Sequence, residues 1–145
     1  MDIQIREVNR EDFDGVFSLF KQLWPDKQLY KEDMFTVYSR GLEGNNDKYI
    51  CAVYDGKVIG FCAIAFMNSF WQEGRIAYIY AMVVDEVLKG QGIGTRLLNE
   101  AYSIAGVQGC KKIELDSGFH REAAHKFYEK NSYVKRAYLF SKDIT

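Results

Sequence analysis

Apolar and polar residues alternate in "IQIREV" (Ile3–Val8), the two-residue period of a strand with one face buried. The period then lengthens. Asn9 is placed to cap a helix whose third position is Asp12. Phe13, Phe17, Phe20 and Trp24 mark its buried stripe, and Pro25 ends it because a proline ring cannot continue the hydrogen-bond ladder. A second helix is expected from Lys31 to Arg40, closed by Gly41, with Met34, Val37 and Tyr38 inward. In "KYICAVYDGKVIGFCAIAF" two apolar strands flank Asp55-Gly56, the dipeptide favoured in a two-residue hairpin turn. A loop near Asn68 to Gly74 leads to "RIAYIYAMVVDE", whose β-branched and aromatic residues suit a strand.

Next comes "LKGQGIG", then a helix from about Thr95 to Ala105 that buries Leu97, Leu98, Ala101, Ile104 and Ala105. "KIELD" reads as a strand and "REAAHKFYEK" as a helix, with Asn131 able to take the left-handed closing position. "YVKRAYLFSKDI" supplies one or two final strands. The order is β, α, α, an antiparallel meander, α, β, α, β. It describes a mixed α/β fold: a central, mostly antiparallel mixed sheet of about six to seven strands flanked by about four helices, not a doubly wound sheet.

The chain has 145 residues, enough for one domain over 1–145 with a core that needs no staples. Its formal net charge of −1 argues against nucleic acid as the main partner. The charge is unevenly spread: from Met1 to Asp55, 11 acidic residues face 7 basic ones, and from Gly56 onward 12 basic residues face 9 acidic ones. An acidic half beside a basic half fits a cationic substrate next to an anionic cosubstrate. Cys51, Cys62 and Cys110 lack metal-ligand spacing and read as reduced, buried thiols of a cytoplasmic protein. "MDIQIREV" has no signal-peptide pattern, and the longest apolar run, "VIGFCAIAFM", is too short to span a bilayer. No membrane partner is therefore expected, and a homodimer is left open.

The chemistry sits in Lys89-Gly90-Gln91-Gly92-Ile93-Gly94. Alternate glycines opening a helix either aim backbone amides at an anion or make a strand-to-helix turn with glycines to spare. The nucleoside-triphosphate loop would need Gly-Lys-Ser/Thr where the chain has Gly94-Thr95-Arg96. The dinucleotide fingerprint would need its glycines near the first strand of a βαβ unit, whereas these follow a meander. A basic or amide residue, two residues, Gly, one residue, then Gly or Ala does fit, directly after "MVVDE". This resembles the coenzyme A pyrophosphate loop of the GNAT-type N-acetyltransferases. "AAHKFYEKNSY" resembles the same superfamily's fourth-helix signature, and the element order agrees from end to end.

The resemblance implies the GNAT fold and transfer of an acetyl group from acetyl-CoA to a primary amine of a small molecule, by direct attack in a ternary complex. It implies that Lys89 and the amides of Gly90, Gln91, Gly92, Ile93, Gly94 and Thr95 hold the pyrophosphate, aided by the helix dipole. It places Met82, Val83 and Val84 at the positions whose amides meet the thioester carbonyl, splayed from the neighbouring strand by a bulge. Tyr128 matches the tyrosine that protonates the departing thiolate, the alternative being a helix tyrosine with its ring in the core. Family members often carry a Glu on the strand before the loop, but "AYIYAMVV" offers Tyr78 and Tyr80 and no carboxylate. Those two tyrosines should share a face with Met82 unless a bulge intervenes. An imidazole is a natural candidate base, but His120 and His125 read more simply as solvated or locally hydrogen-bonded, and their five-residue spacing is poor for a shared metal. No metal is expected. The competing readings are a protein lysine or N-terminal acetyltransferase, an aminoalkylphosphonate-type enzyme, and a non-catalytic acyl-CoA-binding module.

Overall fold

The computed structural model describes all of residues 1–145. They divide into two compact units, 1–114 and 115–145. The elements run β1 (Gln4–Glu7), α1 (Phe13–Leu23), α2 (Lys31–Glu43), β2 (Asp47–Tyr54), β3 (Lys57–Ser69), β4 (Gly74–Val84), α3 (Ile93–Val107), β5 (Lys112–Leu115) and α4 (Glu122–Lys130). One sheet forms in the order β1-β2-β3-β4-β5. The first three pairings are antiparallel, and β5 is reached only after the crossover through α3.

In the first unit, Asn9 and Asp12 form a reciprocal capping box at a short 3-10 turn that feeds α1. Arg6 on β1 donates to both oxygens of Asp12, at 2.8 and 3.0 Å, so strand and helix start are tied by a forked ion pair. The Arg6 guanidinium holds the Asp12 carboxyl below the usual carboxylate range. α1 stops at Leu23, ahead of Pro25. Its buried stripe is Phe13, Val16, Leu19 and Phe20; Phe17 is half-buried and Trp24 exposed, so the aromatic pattern overstates how far the stripe runs. α2 continues through Gly41 to Glu43, and Gly44 closes it. Gly41 is no stop signal. A Cβ there would overlap the Tyr49 hydroxyl, so glycine is needed for the close approach of α2 to β2. Val37 points outward and Tyr38 is buried.

Asp55 and Gly56 turn the β2–β3 hairpin with φ of 51° and 74°, the left-handed pair that a two-residue hairpin turn requires. One core cluster gathers Phe13, Val16, Leu19, Phe20, Tyr38, Tyr49, Phe61, Ala63 and Val83 from α1, α2 and the sheet. α3 buries Ile93, Leu97, Leu98, Ala101 and Ala105, and Leu97 and Ile93 approach Gly60 of β3.

In the second unit, α4 closes on Asn131 and Ser132. Ser132 itself takes the left-handed conformation, φ 73°, while Asn131 stays at φ −95° and its side chain donates to the Phe127 carbonyl at 2.9 Å. Ser132, and not Asn131, thus holds the left-handed closing position. Residues 133–145 carry no regular secondary structure, and Val134, Tyr138, Leu139, Phe140 and Ile144 are exposed. The sheet accordingly has five strands and not six to seven. Alternation prepares a segment for pairing, but a strand exists only where a neighbour completes its ladder. No helix is long and apolar enough to cross a membrane.

Candidate active site

β4 and β3 are paired with one irregularity. Ala63 lies opposite Ala81 and Ile64 opposite Ile79, so Tyr80 is an extra residue on β4, without a partner across the ladder. This is a β-bulge. Directly opposed residues share a face, so Ile79 and Met82 go with Ile64 and Cys62, while Tyr78 and Ala81 go with Ala65 and Ala63. Tyr80 packs with Ala81 and Val83 against the aromatic cluster. The bulge thus leaves Tyr78 and Tyr80 on one face and turns Met82 to the other. Met82, Val83 and Val84 follow it immediately, opposite Cys62, Phe61 and Gly60.

Beyond β4 the chain is anchored before it reaches the glycines. Asp85 is buried; its backbone N–H donates to the Ile59 carbonyl at 2.8 Å, and its Oδ1 accepts from Val87 N at 3.3 Å. Lys57 Nζ stands 3.6 Å from the other carboxylate oxygen, and the Gln22 side chain accepts from Glu86 N at 2.8 Å. The loop therefore begins from a fixed point held by β3 and α1. Lys89 lies in an exposed ion pair with Glu86 at 2.9 Å, a bond of the kind that contributes little and exchanges readily.

Gly90 and Gly92 both adopt left-handed backbone, at φ 83° and 79°. A Cβ at either would meet no protein atom within 4 Å, so the space in front of the loop is open. Gly92 is the N-cap of α3 and, lacking a side chain, supplies no capping oxygen. The first helical bond is from Arg96 N to Gly92 O at 3.1 Å. The amides of Ile93, Gly94 and Thr95 precede it, and a helix N-terminus with uncapped amides is built to receive an anion. Ile93 is buried and pins the first turn to the sheet, while Gln91 and Gly92 are exposed. The residues present therefore fit a pyrophosphate: open space, left-handed glycines and unpaired first-turn amides.

Tyr128 lies on α4 in the second unit, its ring 5.5 Å from Phe127 and 6.0 Å from Tyr133. His125 Nε2 is 2.8 Å from the Gly118 carbonyl, and His120 is exposed. Burial pushes the thiols of Cys51 and Cys62 up to about 11 and about 12, which keeps both protonated and poor nucleophiles.

One group escaped the sequence. The Tyr80 hydroxyl donates a short hydrogen bond to Asp47 Oδ2 and lies 2.8 Å from the Tyr49 hydroxyl. Burial, then the bonds to Asp47 and Tyr49, hold the Tyr80 phenol well above its ordinary range. Asp47 is 33 residues away in the chain, and no local motif marks it.

A family model described as "Acetyltransferase (GNAT) family" matches residues 6–133. Over 145 aligned residues the chain is 28% identical to an aminoalkylphosphonate N-acetyltransferase of Salmonella typhimurium, covering 97% of this chain and 91% of that one. It is 26% identical to a glucosamine 6-phosphate N-acetyltransferase of Trypanosoma brucei brucei, covering 90% and 88%. Among solved structures, a transcriptional regulator from Bacillus halodurans superposes with a TM-score of 0.90 at 21% identity, over 99% of this chain and 100% of that one. At that identity the likeness speaks for the fold alone.

Proposed function

Because the chain belongs to the acetyltransferase (GNAT) family, we propose that it transfers the acetyl group of acetyl-CoA to the primary amine of a small molecule, by direct attack within a ternary complex. The observation that carries this reading is the open glycine turn at Gly90 and Gly92 leading into the uncapped first turn of α3. Lys89, Gly90, Gln91, Gly92, Ile93, Gly94 and Thr95 hold the pyrophosphate. Amides among Met82, Val83 and Val84, just past the bulge, receive the negative charge that develops on the thioester oxygen. Tyr128 returns a proton to the thiolate.

The acceptor we assign is a small amine that also bears a phosphate or phosphonate. An open hollow of about 300 Å³ is lined by Phe17, Lys21, Trp24, Lys27 and Leu29, among others. Lys21 and Lys31 stand 5.5 and 5.7 Å from the Phe17 ring centre. Lys21 and Lys27 thus face the hollow where α1 turns toward α2, while Lys31 is paired with Asp14 at 2.8 Å. The two relatives described above are named for acceptors carrying such a group.

Release of CoA from acetyl-CoA is the direct test, with aminomethylphosphonate, glucosamine 6-phosphate, glucosamine, spermidine and a lysine peptide as acceptors. The phosphorus-bearing amines should turn over fastest. Turnover of the peptide alone would make this a protein acetyltransferase. Binding of acetyl-CoA without turnover of any amine would make it an acyl-CoA-binding module.

The amine must arrive neutral. An alkyl ammonium with a pKa near 10.4 is neutral only about once in ~2,500 molecules at pH 7. Tyr80 stays protonated across the working range, because its phenol is held above the ordinary value. The acceptor's kcat/KM should therefore rise with pH until the free amine deprotonates. A pH–rate profile with two amines of different pKa should show the inflection moving with the amine. An inflection fixed near pH 6–7 for both would expose an ionising enzyme base, with His120 and His125 the first to test.

A further inference from the structure

We propose that Tyr80 and Asp47 form a relay that takes the proton from the attacking amine, a role that rests on the chain's being an amine acetyltransferase. β4 has no carboxylate of its own, and the fold brings one from β2. Asp47 lies opposite Ala65 and Tyr49 opposite Ala63, so at these two positions β3 presents alanines between β2 and β4. Tyr80, released from the ladder by the bulge, reaches across these small side chains to Asp47.

The hydrogen-bond count defines the direction of transfer. A phenol has one hydrogen to donate and two lone pairs. A carboxylate oxygen only accepts, so the Tyr80 hydrogen goes to Asp47. The Tyr49 hydroxyl donates to the Val37 carbonyl at 3.3 Å, and its oxygen stands 2.8 Å from the Tyr80 oxygen. A lone pair on Tyr80 is left for an incoming N–H. Tyr49 and Asp47 are the ionisable groups that bear on Tyr80. Tyr38 stacks on Tyr49 at 5.6 Å, itself buried; Tyr78 shares the face, and the other neighbours, Phe61, Ala63, Ala81 and Val83, are apolar.

The step balances without a further reagent. The neutral amine forms the C–N bond and the C–S bond breaks, releasing thiolate. As the nitrogen becomes positive it passes one proton to the Tyr80 oxygen, and the original Tyr80 proton moves to the Asp47 carboxylate. Tyr80 ends as it began, neutral, and never exists as a free phenolate. Asp47 returns its proton to solvent before the next turnover. Tyr80 also lies two residues before Met82, the first of the positions assigned to the thioester oxygen.

Asp47→Asn and Tyr80→Phe test the relay on whichever amine the wild-type protein acetylates among those named above. Each should lower kcat about 100-fold, the low end of what a positioned proton acceptor contributes. Acetyl-CoA affinity by calorimetry and the melting temperature should stay near wild type. The double variant should be no slower than either single one, because groups that act as a unit are lost together. Wild-type kcat in both single variants overturns the relay and leaves the acetyltransferase reading standing. Losses that multiply in the double variant, with lower melting temperature, overturn it too and make the pair a brace between β2 and β4. A wild-type protein that acetylates none of the amines removes the reaction and the relay together.

Discussion

Gly92→Trp is expected to abolish acetyl-CoA binding. Two effects act in the same direction. Gly92 sits at φ 79°, a conformation that costs an L-residue roughly 1–2 kcal/mol. A side chain would also fill the space left open in front of the loop, where a Cβ meets no protein atom within 4 Å and an indole would extend over the first-turn amides of α3. The open space means that the substitution need not disturb the core, since Ile93 and Leu97 hold α3 to the sheet from the other side. Gly92→Ala separates the effects, keeping most of the backbone strain and little of the bulk, and should weaken binding only partly. Isothermal calorimetry with acetyl-CoA decides the matter, with a thermal melt to verify folding. Wild-type affinity in a folded Gly92→Trp protein would remove the pyrophosphate from this loop.

Tyr128→Phe should lower turnover by about 10²–10⁴, the usual scale for a positioned acid, while acetyl-CoA affinity changes little. A thiolate leaves more easily when a proton meets it, and an ordinary phenol, with a pKa above that of an ordinary thiol, can donate without prior ionisation. The substitution removes one oxygen and keeps the ring, so the contacts with Phe127 and Tyr133 persist. The Tyr128 carbonyl accepts from Asn131 N and Tyr133 N, each at 3.0 Å, and these backbone bonds close α4. A loss confined to kcat therefore reports chemistry. Turnover within a factor of two of wild type would mean that the thiolate takes its proton from water.

Much of this molecule is legible from residues close together in the chain, because local physics decides those parts. Asn9 and Asp12 cap a helix start since each side chain accepts from the other's backbone N–H, three residues away. Asp55-Gly56 makes its hairpin since few other pairs tolerate two successive left-handed residues. The alternate glycines after an apolar strand mark a turn for the same reason, and Gly90 and Gly92 both take the left-handed conformation. Gly41 shows where local rules fail: helix-closing glycine is a tendency, and here a tyrosine ring from β2 requires glycine inside the helix. Val37 and Trp24 fail likewise, since periodicity gives a face but not how far the opposing surface extends.

By itself, then, the amino-acid sequence determined the order of the elements as far as α4, the hairpin, the left-handed glycine turn and the family, all of which depend on spacings of a few residues or on motifs in order. Tertiary structure alone decided the number of strands, because residues 133–145 alternate like a strand but form no ladder. It also decided that the β4 bulge falls at Tyr80, which is a matter of register between two strands. Above all it decided that Asp47 meets Tyr80. That contact joins positions 33 residues apart through the pairing of three strands, and only the folded sheet gives the carboxylate its neighbour.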